Sequence, residues 1–304
     1  MTENRPATAD ERSALGDILA KLSIQAPDAV CRFIDRRWNK VYDVYLVEKS
    51  GETYLLKMVK DRREASAHEA YFSGKSFAVP KLHRVIENTD GTFCLLYDYI
   101  DGTDAVGCSS EDAAHVGSAL AEIQRHHLCA GGQTDQARWY FDRYLSSNWK
   151  KFRKYLEEYE TTWKDAEARF YEAPQSLVHD DLLPINVLLG HGGPVIIDWA
   201  TTGVYPYFLD LARFAYVHSD SVGPLLPARS AEAFLAAYYE GMKLSPAFDL
   251  DMGTFRRDVT ISALYQYIQF LDANLSEPEL RASTDFRFLT QILEHLKTET
   301  PEQV

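Results

Sequence analysis

The polar residues 1–10 are expected to fray, and Leu15, Ile18, Leu19 and Leu22 then share one helical face. Beyond them the pattern changes to apolar runs separated by turn residues: Ala29–Ile34, Val41–Val47 and, after Lys49-Ser50-Gly51, Thr53–Val59. Consecutive strands joined by tight turns predict an antiparallel sheet, and Phe93–Gly102 adds an apolar strand ending in the breaker Asp101-Gly102. The period then becomes helical. Ser109 is placed to cap a helix with Asp112, and Val116, Leu120 and Ile123 follow on one face. Tyr140–Tyr159 repeats the pattern with Phe141, Leu145, Trp149, Phe152 and Leu156 inward, and Phe234–Tyr239, Thr254–Leu271 and Phe286–Leu296 read as further helices. The chain is therefore expected to be α+β, with a sheet-rich part over residues 1–97, a connector at 98–102 and a mainly helical part over 103–304.

One stretch departs from both periods. Leu177–Leu189 and Pro194–Trp199 are apolar runs on either side of Gly190-His191-Gly192-Gly193, which predicts a buried β-hairpin. His179, Asp181 and Asn186 precede the turn and Asp198 ends the second run, so the hairpin is expected to gather metal- and proton-handling side chains. Such a set suits phosphoryl transfer, in which a protein positions the reactants, neutralises phosphate charge with Mg²⁺ and offers a carboxylate to the attacking hydroxyl. Asp181 would be that base, with Asn186 and Asp198 as metal ligands. Lys57 lies inside an apolar run, where an ammonium group is costly unless an anion or carboxylate meets it.

His179-x-Asp181-x-x-x-x-Asn186 followed by Ile197-Asp198-Trp199 resembles the catalytic loop and metal aspartate of aminoglycoside phosphotransferases and choline kinases, relatives of protein kinases. The resemblance implies a two-lobed kinase-like fold, an antiparallel sheet lobe followed by a helical one, with ATP or GTP as phosphate donor and Mg²⁺ as cofactor. It further implies that Lys57 pairs with Glu69 of a helix over Arg63–Phe72, that the carbonyl of Asp98 and the N–H of Ile100 bind the base with Tyr97 behind it, and that Asp210 in Asp210-Leu211-Ala212 braces the catalytic loop. The turn Asp35–Val41 has no glycine where protein kinases carry a glycine-rich loop, so Asn39 is a candidate phosphate ligand. A protein kinase is disfavoured, because Asp180 stands where an arginine normally precedes the catalytic aspartate and no Ala-Pro-Glu follows Asp198. The alternatives to an aminoglycoside phosphotransferase-like enzyme are a choline or ethanolamine type of metabolite kinase and a non-catalytic nucleotide-binding scaffold.

Charge adds a hint about the acceptor. The net charge is −13, with 15 basic against 16 acidic residues up to Gly102 and 17 against 29 beyond it. Nucleic acid is excluded as a partner, since phosphate binding needs clustered lysine and arginine. Acidity beside the base, with Asp180 adjacent to Asp181 and Tyr205 and Tyr207 in the following loop, points to a cationic hydroxyl compound, an aminoglycoside-like amine ahead of choline. The four cysteines, Cys31, Cys94, Cys108 and Cys129, show neither CxxC pairing nor zinc-ligand spacing, and no run is long enough to cross a bilayer, so a soluble cytoplasmic protein is expected.

Overall fold

The structure is a computed structural model, and it describes residues 2–24, 26–35, 40–129, 134–219 and 223–299. The chain forms two compact units: Met1–Thr103 together with Gly190–Thr201, and Asp104–Leu189 together with Thr202–Val304.

The first unit is built on a six-stranded sheet of β1 (Thr2–Pro6), β2 (Ala29–Asp35), β3 (Lys40–Lys49), β4 (Glu52–Val59), β5 (Leu82–Glu87) and β6 (Phe93–Asp98). Its spatial order is β1-β2-β3-β4-β6-β5, and every neighbouring pair is antiparallel. Helix α1 (Ala9–Lys21) lays Leu15, Ile18 and Leu19 against Val30, Val47, Leu56 and Leu96 on one face of the sheet. A helix of this length is marginal alone, and burial of about 1.5–3 kcal/mol per large aliphatic side chain holds it in place. Helix α2 (Arg63–Ala67), which continues as a π-helical turn over His68–Phe72, brings Ala65 to the other face, against Leu95 and Tyr97.

Residues 2–10 are ordered and do not fray. Thr2–Pro6 pairs with β2 in the register Thr2↔Asp35 to Pro6↔Cys31. A polar edge strand pairs through its backbone, so its side chains carry no apolar signature. Glu11 reinforces the arrangement: it closes a capping box with Thr8, and its Oε1 accepts from Arg5 and Arg32 at 2.7 Å each.

In the second unit α3 (Ser110–His126) begins at the Ser109 cap, whose hydroxyl accepts the Asp112 N–H. The predicted helix over Tyr140–Tyr159 is broken into α4 (Asp135–Tyr140), a π-helical turn over Phe141–Ser146, α5 (Ser147–Phe152) and short 3₁₀ turns, after which α6 (Glu160–Glu172) follows. Its inward residues Phe141, Leu145, Trp149, Phe152 and Leu156 are nevertheless buried. Helices α7 (Leu209–Ala215), α8 (Ala228–Lys243) and α9 (Met252–Phe270) complete the packing, followed by helices over Glu277–Ala282 and Thr284–Glu299. Helices α3 and α8 approach closely at glycines: a Cβ on Gly117 would sit 2.3 Å from the Phe234 carbonyl oxygen, and one on Gly241 would sit 2.6 Å from the Ala121 Cβ. Among the described residues no helix is long and apolar enough to cross a membrane.

The expected hairpin is present but shorter, with Val187–Gly190 and Gly193–Ile196 neighbours in one sheet. Gln175–Val178 is a strand, but it pairs with Gly203–Pro206. The chain from His179 to Asn186 is a loop ending in a 3₁₀ turn over Pro184–Asn186, and only Val187–Gly190 and Gly193–Ile196 are extended on either side of the glycine turn.

The lowered acidity of Glu11 yields a test. The N–H of Thr8, followed by Arg32 and Arg5, pulls its carboxyl from 4.5 down to about 2. Its contribution to stability is therefore complete above pH 4.5 and lost as the pH falls to about 2. Glu11→Gln is expected to melt below the unmodified protein at neutral pH, with the difference closing by pH 2 in thermal melts across that range.

Candidate functional site

The chemistry-bearing residues divide between the units. Lys57, Glu64 and Asp198 belong to the sheet unit, and His179, Asp180, Asp181, Asn186 and Asp210 to the helical one.

In the sheet unit Lys57 stands on β4 opposite Val44 and Leu95. Its ammonium group lies 2.6 Å from Glu64 Oε2 and 2.8 Å from Asp198 Oδ1. Burial works against the charged lysine, but the two carboxylates outweigh it and hold its pKa above the usual lysine value. Burial raises the Glu64 carboxyl in turn, partly offset by Lys57, while the Tyr97 hydroxyl donates to Glu64 Oε1 at 3.2 Å. Asp198 reaches this unit because its neighbours are anchored there. The Ile196 N–H donates to the Ala78 carbonyl, the Trp199 indole N–H donates to the Ile196 carbonyl, and the Trp199 ring lies 4.7 Å from Phe72.

Glu69 is not the partner of Lys57. It is half exposed and forms a two-pronged pair with Arg62 at 2.9 Å. Five residues along a helix rotate a side chain by about 140° from its starting face, so Glu64 and Glu69 cannot both look at β4. The signal that distinguishes them was present in the pattern Glu64, Ala65, His68, Phe72, which forms the buried face. Tyr97 lies behind that pair. Asp98 ends β6 with its N–H on the Lys81 carbonyl and its carboxylate on His83, and half-buried Ile100 lies just beyond the strand. Asn39 lies outside the described residues.

In the helical unit the loop is organised by Asp210 of α7. Its carboxylate is fully buried, with Oδ2 accepting from the His179 N–H at 2.8 Å and Oδ1 from the Asp180 N–H at 2.9 Å. The Gln124 amide adds a third bond at 3.1 Å. Burial lifts the Asp210 carboxyl to about 7 despite the two backbone donors. The imidazole of His179 is wholly buried, and its Nδ1 accepts the Asp181 N–H at 3.2 Å, so its proton belongs on Nε2. His179, a candidate catalytic residue by resemblance, thus has its side chain inside the helical unit and tied to the loop backbone.

Asp181 keeps its carboxylate 41% exposed, open to a hydroxyl. The Asn186 amide N–H₂ donates to the Asp181 carbonyl at 2.8 Å and to its Oδ2 at 3.3 Å. That orientation leaves the Asn186 amide oxygen as an acceptor. Pro184 starts the 3₁₀ turn that presents Asn186, a position where its missing N–H costs nothing. Asp180 sits at φ 64° and Asp198 at φ 67°, left-handed conformations that cost an L-residue roughly 1–2 kcal/mol.

Two further residues complete the loop, and neither was singled out in the sequence. Arg213, one turn after Asp210 on α7, donates to the Asp180 carbonyl at 2.7 Å and reaches Asp181 Oδ1 at 3.4 Å. Tyr140 donates its hydroxyl to Asp180 Oδ1 at 2.6 Å. Burial pushes Asp180 up to about 6, with Tyr140 and Arg213 opposing the rise. The i, i+3 spacing of Asp210 and Arg213 was a legible hint, since it sets both on one helix face.

Tyr205 and Tyr207 are not surface aromatics. Tyr207 is fully buried and donates to Asp258 Oδ2, an acid also held by Arg169 at 2.6 Å, while Tyr205 lies buried against the Tyr140 ring. Strand pairing of Gly203–Pro206 with Gln175–Val178 carries both into the core, although Gly203 and Pro206 read as loop residues. Neither can serve as an aromatic face for a cation.

An antiparallel sheet unit and a helical unit, with a lysine–carboxylate pair in the first and an aspartate–asparagine loop in the second, make up a kinase-like fold. Residues 40–245 match the phosphotransferase enzyme family, which is more than half of the chain, and the protein belongs to that family. Among solved structures it is similar to wild-type aminoglycoside 2'-phosphotransferase-IIIa in its GDP complex, with a TM-score of 0.59 and 13% identity over 94% of this chain and 98% of that one. A choline/ethanolamine kinase family protein from Mesorhizobium loti aligns with a TM-score of 0.58 and 18% identity over 95% of each chain. An amicoumacin kinase in complex with AMP-PNP and Ca²⁺ aligns with a TM-score of 0.52 and 15% identity over 97% of each. No curated protein sequence matches the chain closely enough to be called a relative.

The Lys57 geometry separates the two glutamates experimentally. Glu64→Gln is expected to lower kcat/KM for the nucleotide by roughly tenfold or more, whereas Glu69→Gln should stay within about twofold. Steady-state kinetics of both variants against nucleotide concentration measures the contrast, and equal losses would place Glu69 back in the site.

Proposed function

We propose that the protein is a small-molecule kinase that transfers the γ-phosphate of ATP or GTP to a hydroxyl group. The observation that carries this reading is Lys57, held at 2.6 Å by Glu64 and 2.8 Å by Asp198 in a chain of the phosphotransferase family. A lysine fixed in this way is placed to grip donor phosphates without collapsing onto a single partner. The similar structures that carry GDP, or AMP-PNP with Ca²⁺, support a nucleotide donor and a divalent ion. The backbone of Asp98 and Ile100 is assigned to the nucleotide base.

Mg²⁺ is the ion assigned to Asn186 and to Asp198. The Asn186 amide oxygen and the Asp198 carboxylate are hard oxygen ligands, and this ion commonly takes only one or two carboxylates together with substrate phosphates. When bound, the ion supplies neutralisation of the phosphate charge.

The protein's own part in the reaction is positioning and proton transfer. The acceptor oxygen bonds to the γ-phosphorus as the bond from that phosphorus to the bridging oxygen breaks, and the hydroxyl proton passes to Asp181. Nucleoside diphosphate leaves with the bridging oxygen. Arg213 and Asn186 fix where Asp181 points, and Asp210 and His179 fix the backbone that carries it. Asp180 Oδ1 accepts from Tyr140, and Asp181, with its side chain 41% exposed, is the carboxylate assigned as base. With Tyr205 and Tyr207 in the core, the remaining support for a cationic acceptor is the general acidity of the chain.

Asp181→Asn is expected to reduce kcat by about 10²–10⁴-fold while nucleotide binding stays nearly unchanged. Turnover within a few-fold of normal would remove Asp181 as the base. Asp198→Asn has a different signature, weaker nucleotide binding that appears only when Mg²⁺ is present, read by calorimetric titration with and without the ion. Identical affinities at every Mg²⁺ concentration would exclude Asp198 as a ligand.

A further inference from the structure

Tyr140 ends α4, and directly after it the chain leaves the α-helical register for the π-helical turn over Phe141–Ser146. Single π-helical turns inside helices frequently occur at functional sites. The Tyr140 ring is buried, nearly parallel to that of Phe170 in α6 at 6.4 Å and packed 4.5 Å from Tyr205 and 5.2 Å from Tyr144. The Gln269 amide of α9 donates toward the Tyr140 hydroxyl oxygen at 3.5 Å, which leaves the hydroxyl proton for Asp180 Oδ1 at 2.6 Å. A buried tyrosine needs some polar partner, and a backbone carbonyl would serve. Here the partner is the side chain that adjoins the assigned base.

The backbone of Asp180 carries Asp181, and it is held at three points. Its N–H donates to Asp210 Oδ1 at 2.9 Å, its carbonyl accepts from Arg213 at 2.7 Å, and its side chain accepts from Tyr140. The bonds that reach the Asp181 carboxylate from Asn186 and Arg213 are longer, 3.3 Å and 3.4 Å. Bonds of that length constrain direction weakly, so the aim of the Asp181 carboxylate follows the backbone before it. That backbone is left-handed at Asp180, φ 64°, a conformation an L-residue keeps only where its surroundings hold it. Burial also works against the Asp180 charge, and the Tyr140 hydroxyl, ahead of Arg213, opposes that effect. Without the hydroxyl the carboxylate would turn toward water and draw the backbone out of the left-handed well.

Building on the reading of Asp181 as the base of a phosphotransferase, we propose that Tyr140 is a positioning residue for the reaction: its hydroxyl clamps the left-handed turn at Asp180 and thereby aims the Asp181 carboxylate. Tyr140 acts through Asp180, and its buried hydroxyl gives no proton to a reactant. The clamp uses two properties of the Asp180 side chain, an acceptor oxygen and tolerance of left-handed backbone. Asparagine shares both, glycine has the backbone freedom without needing the clamp, and alanine has neither.

The test uses the full chain with Mg²⁺ and ATP or GTP, and water as the acceptor. The water oxygen bonds to the γ-phosphorus as the bond to the bridging oxygen breaks, its proton passes to Asp181, and the released nucleoside diphosphate is measured. Tyr140→Phe is expected to lower kcat for this hydrolysis about tenfold, the effect of losing one charge-assisted hydrogen bond, with the nucleotide KM within about twofold. Asp180→Ala should fall as far, and Asp180→Asn should lose several-fold less than Asp180→Ala. Adding Tyr140→Phe to Asp180→Gly should change the rate by less than about twofold, because glycine leaves the hydroxyl nothing to clamp. Hydrogen exchange over residues 177–183 gives a readout besides turnover: Tyr140→Phe should speed it about tenfold, and the same change in the Asp180→Gly background should not.

A Tyr140→Phe rate within twofold of the unmodified protein, or equal losses in the native and Asp180→Gly backgrounds, overturns the proposal. Equal losses would mark Tyr140 as a support of the core alone. Where hydrolysis is too slow to measure, the exchange contrast decides in the same two directions. Calorimetric titration with nucleotide, with and without Mg²⁺, reports on the phosphotransferase reading separately. An unmodified protein that binds no nucleotide removes that reading, and the assignment of Tyr140 to the reaction with it. Nucleotide binding that persists while the Tyr140 variants match their parents removes the clamp alone.

Discussion

The helical unit depends on one buried carboxylate. Asp210 receives the N–H groups of His179 and Asp180 in a region closed to water, and without it both donors would be buried with nothing to accept them. Each orphaned group would cost about 1–3 kcal/mol, a large share of an ordinary domain's stability. The loop bends where it does because this acceptor is there. Its position sets the left-handed turn at Asp180, the hydrogen bond from Asp181 to His179, and the distance from which Arg213 can reach Asp181. The burial that lifts the Asp210 carboxyl to about 7 is the counterpart of this service, since a charge surrounded by dipoles instead of water is retained only while those dipoles stay aligned.

How much was legible in the sequence follows from the kind of force at each position. Strands and helices with apolar faces were legible, because burial imposes a period that survives in the residue order. The N-terminal strand was not, because Thr2–Pro6 is held by backbone pairing and by Glu11, neither of which writes an apolar pattern. Lys57 announced the need for a carboxylate, but two glutamates lay within reach along one helix, and choosing between them required attention to which face was apolar. Tyr205 and Tyr207 misled for the opposite reason: glycine and proline nearby suggested an exposed loop, while pairing to Gln175–Val178 made that segment an inner strand. The meeting of Asp181 and Asn186 was the most legible part of the loop, since local spacing brings the two together within a few residues of each other.

Ser23, Ala26 and Ser50 take left-handed backbone in the sheet unit, and beside the candidate site residues the same conformation falls on acids. Asp180 and Asp198 hold left-handed conformations that glycine would adopt without penalty, and in each case the side chain has work that glycine could not do. Asp198 offers its carboxylate to Lys57, and Asp180 offers its own to Tyr140. Aspartate tolerates this conformation better than most residues, which makes it the compromise between a sharp turn and a needed charge.

The close approach at Gly117 and Gly241 reaches further than helix packing. Helix α3 carries Gln124, and α8 carries Tyr238, whose hydroxyl donates to the Gln124 amide oxygen while the same amide donates to Asp210. The gap between two helices, set by the hydrogen atoms of two glycines, therefore reaches the proposed base through a relay of one tyrosine, one amide and one carboxylate. A methyl group added at Gly117 would collide with the Phe234 carbonyl four residues before that tyrosine, so the spacing of a distant scaffold is coupled to the aim of Asp181. Changes that look silent from the vantage of the active loop can detune it from behind.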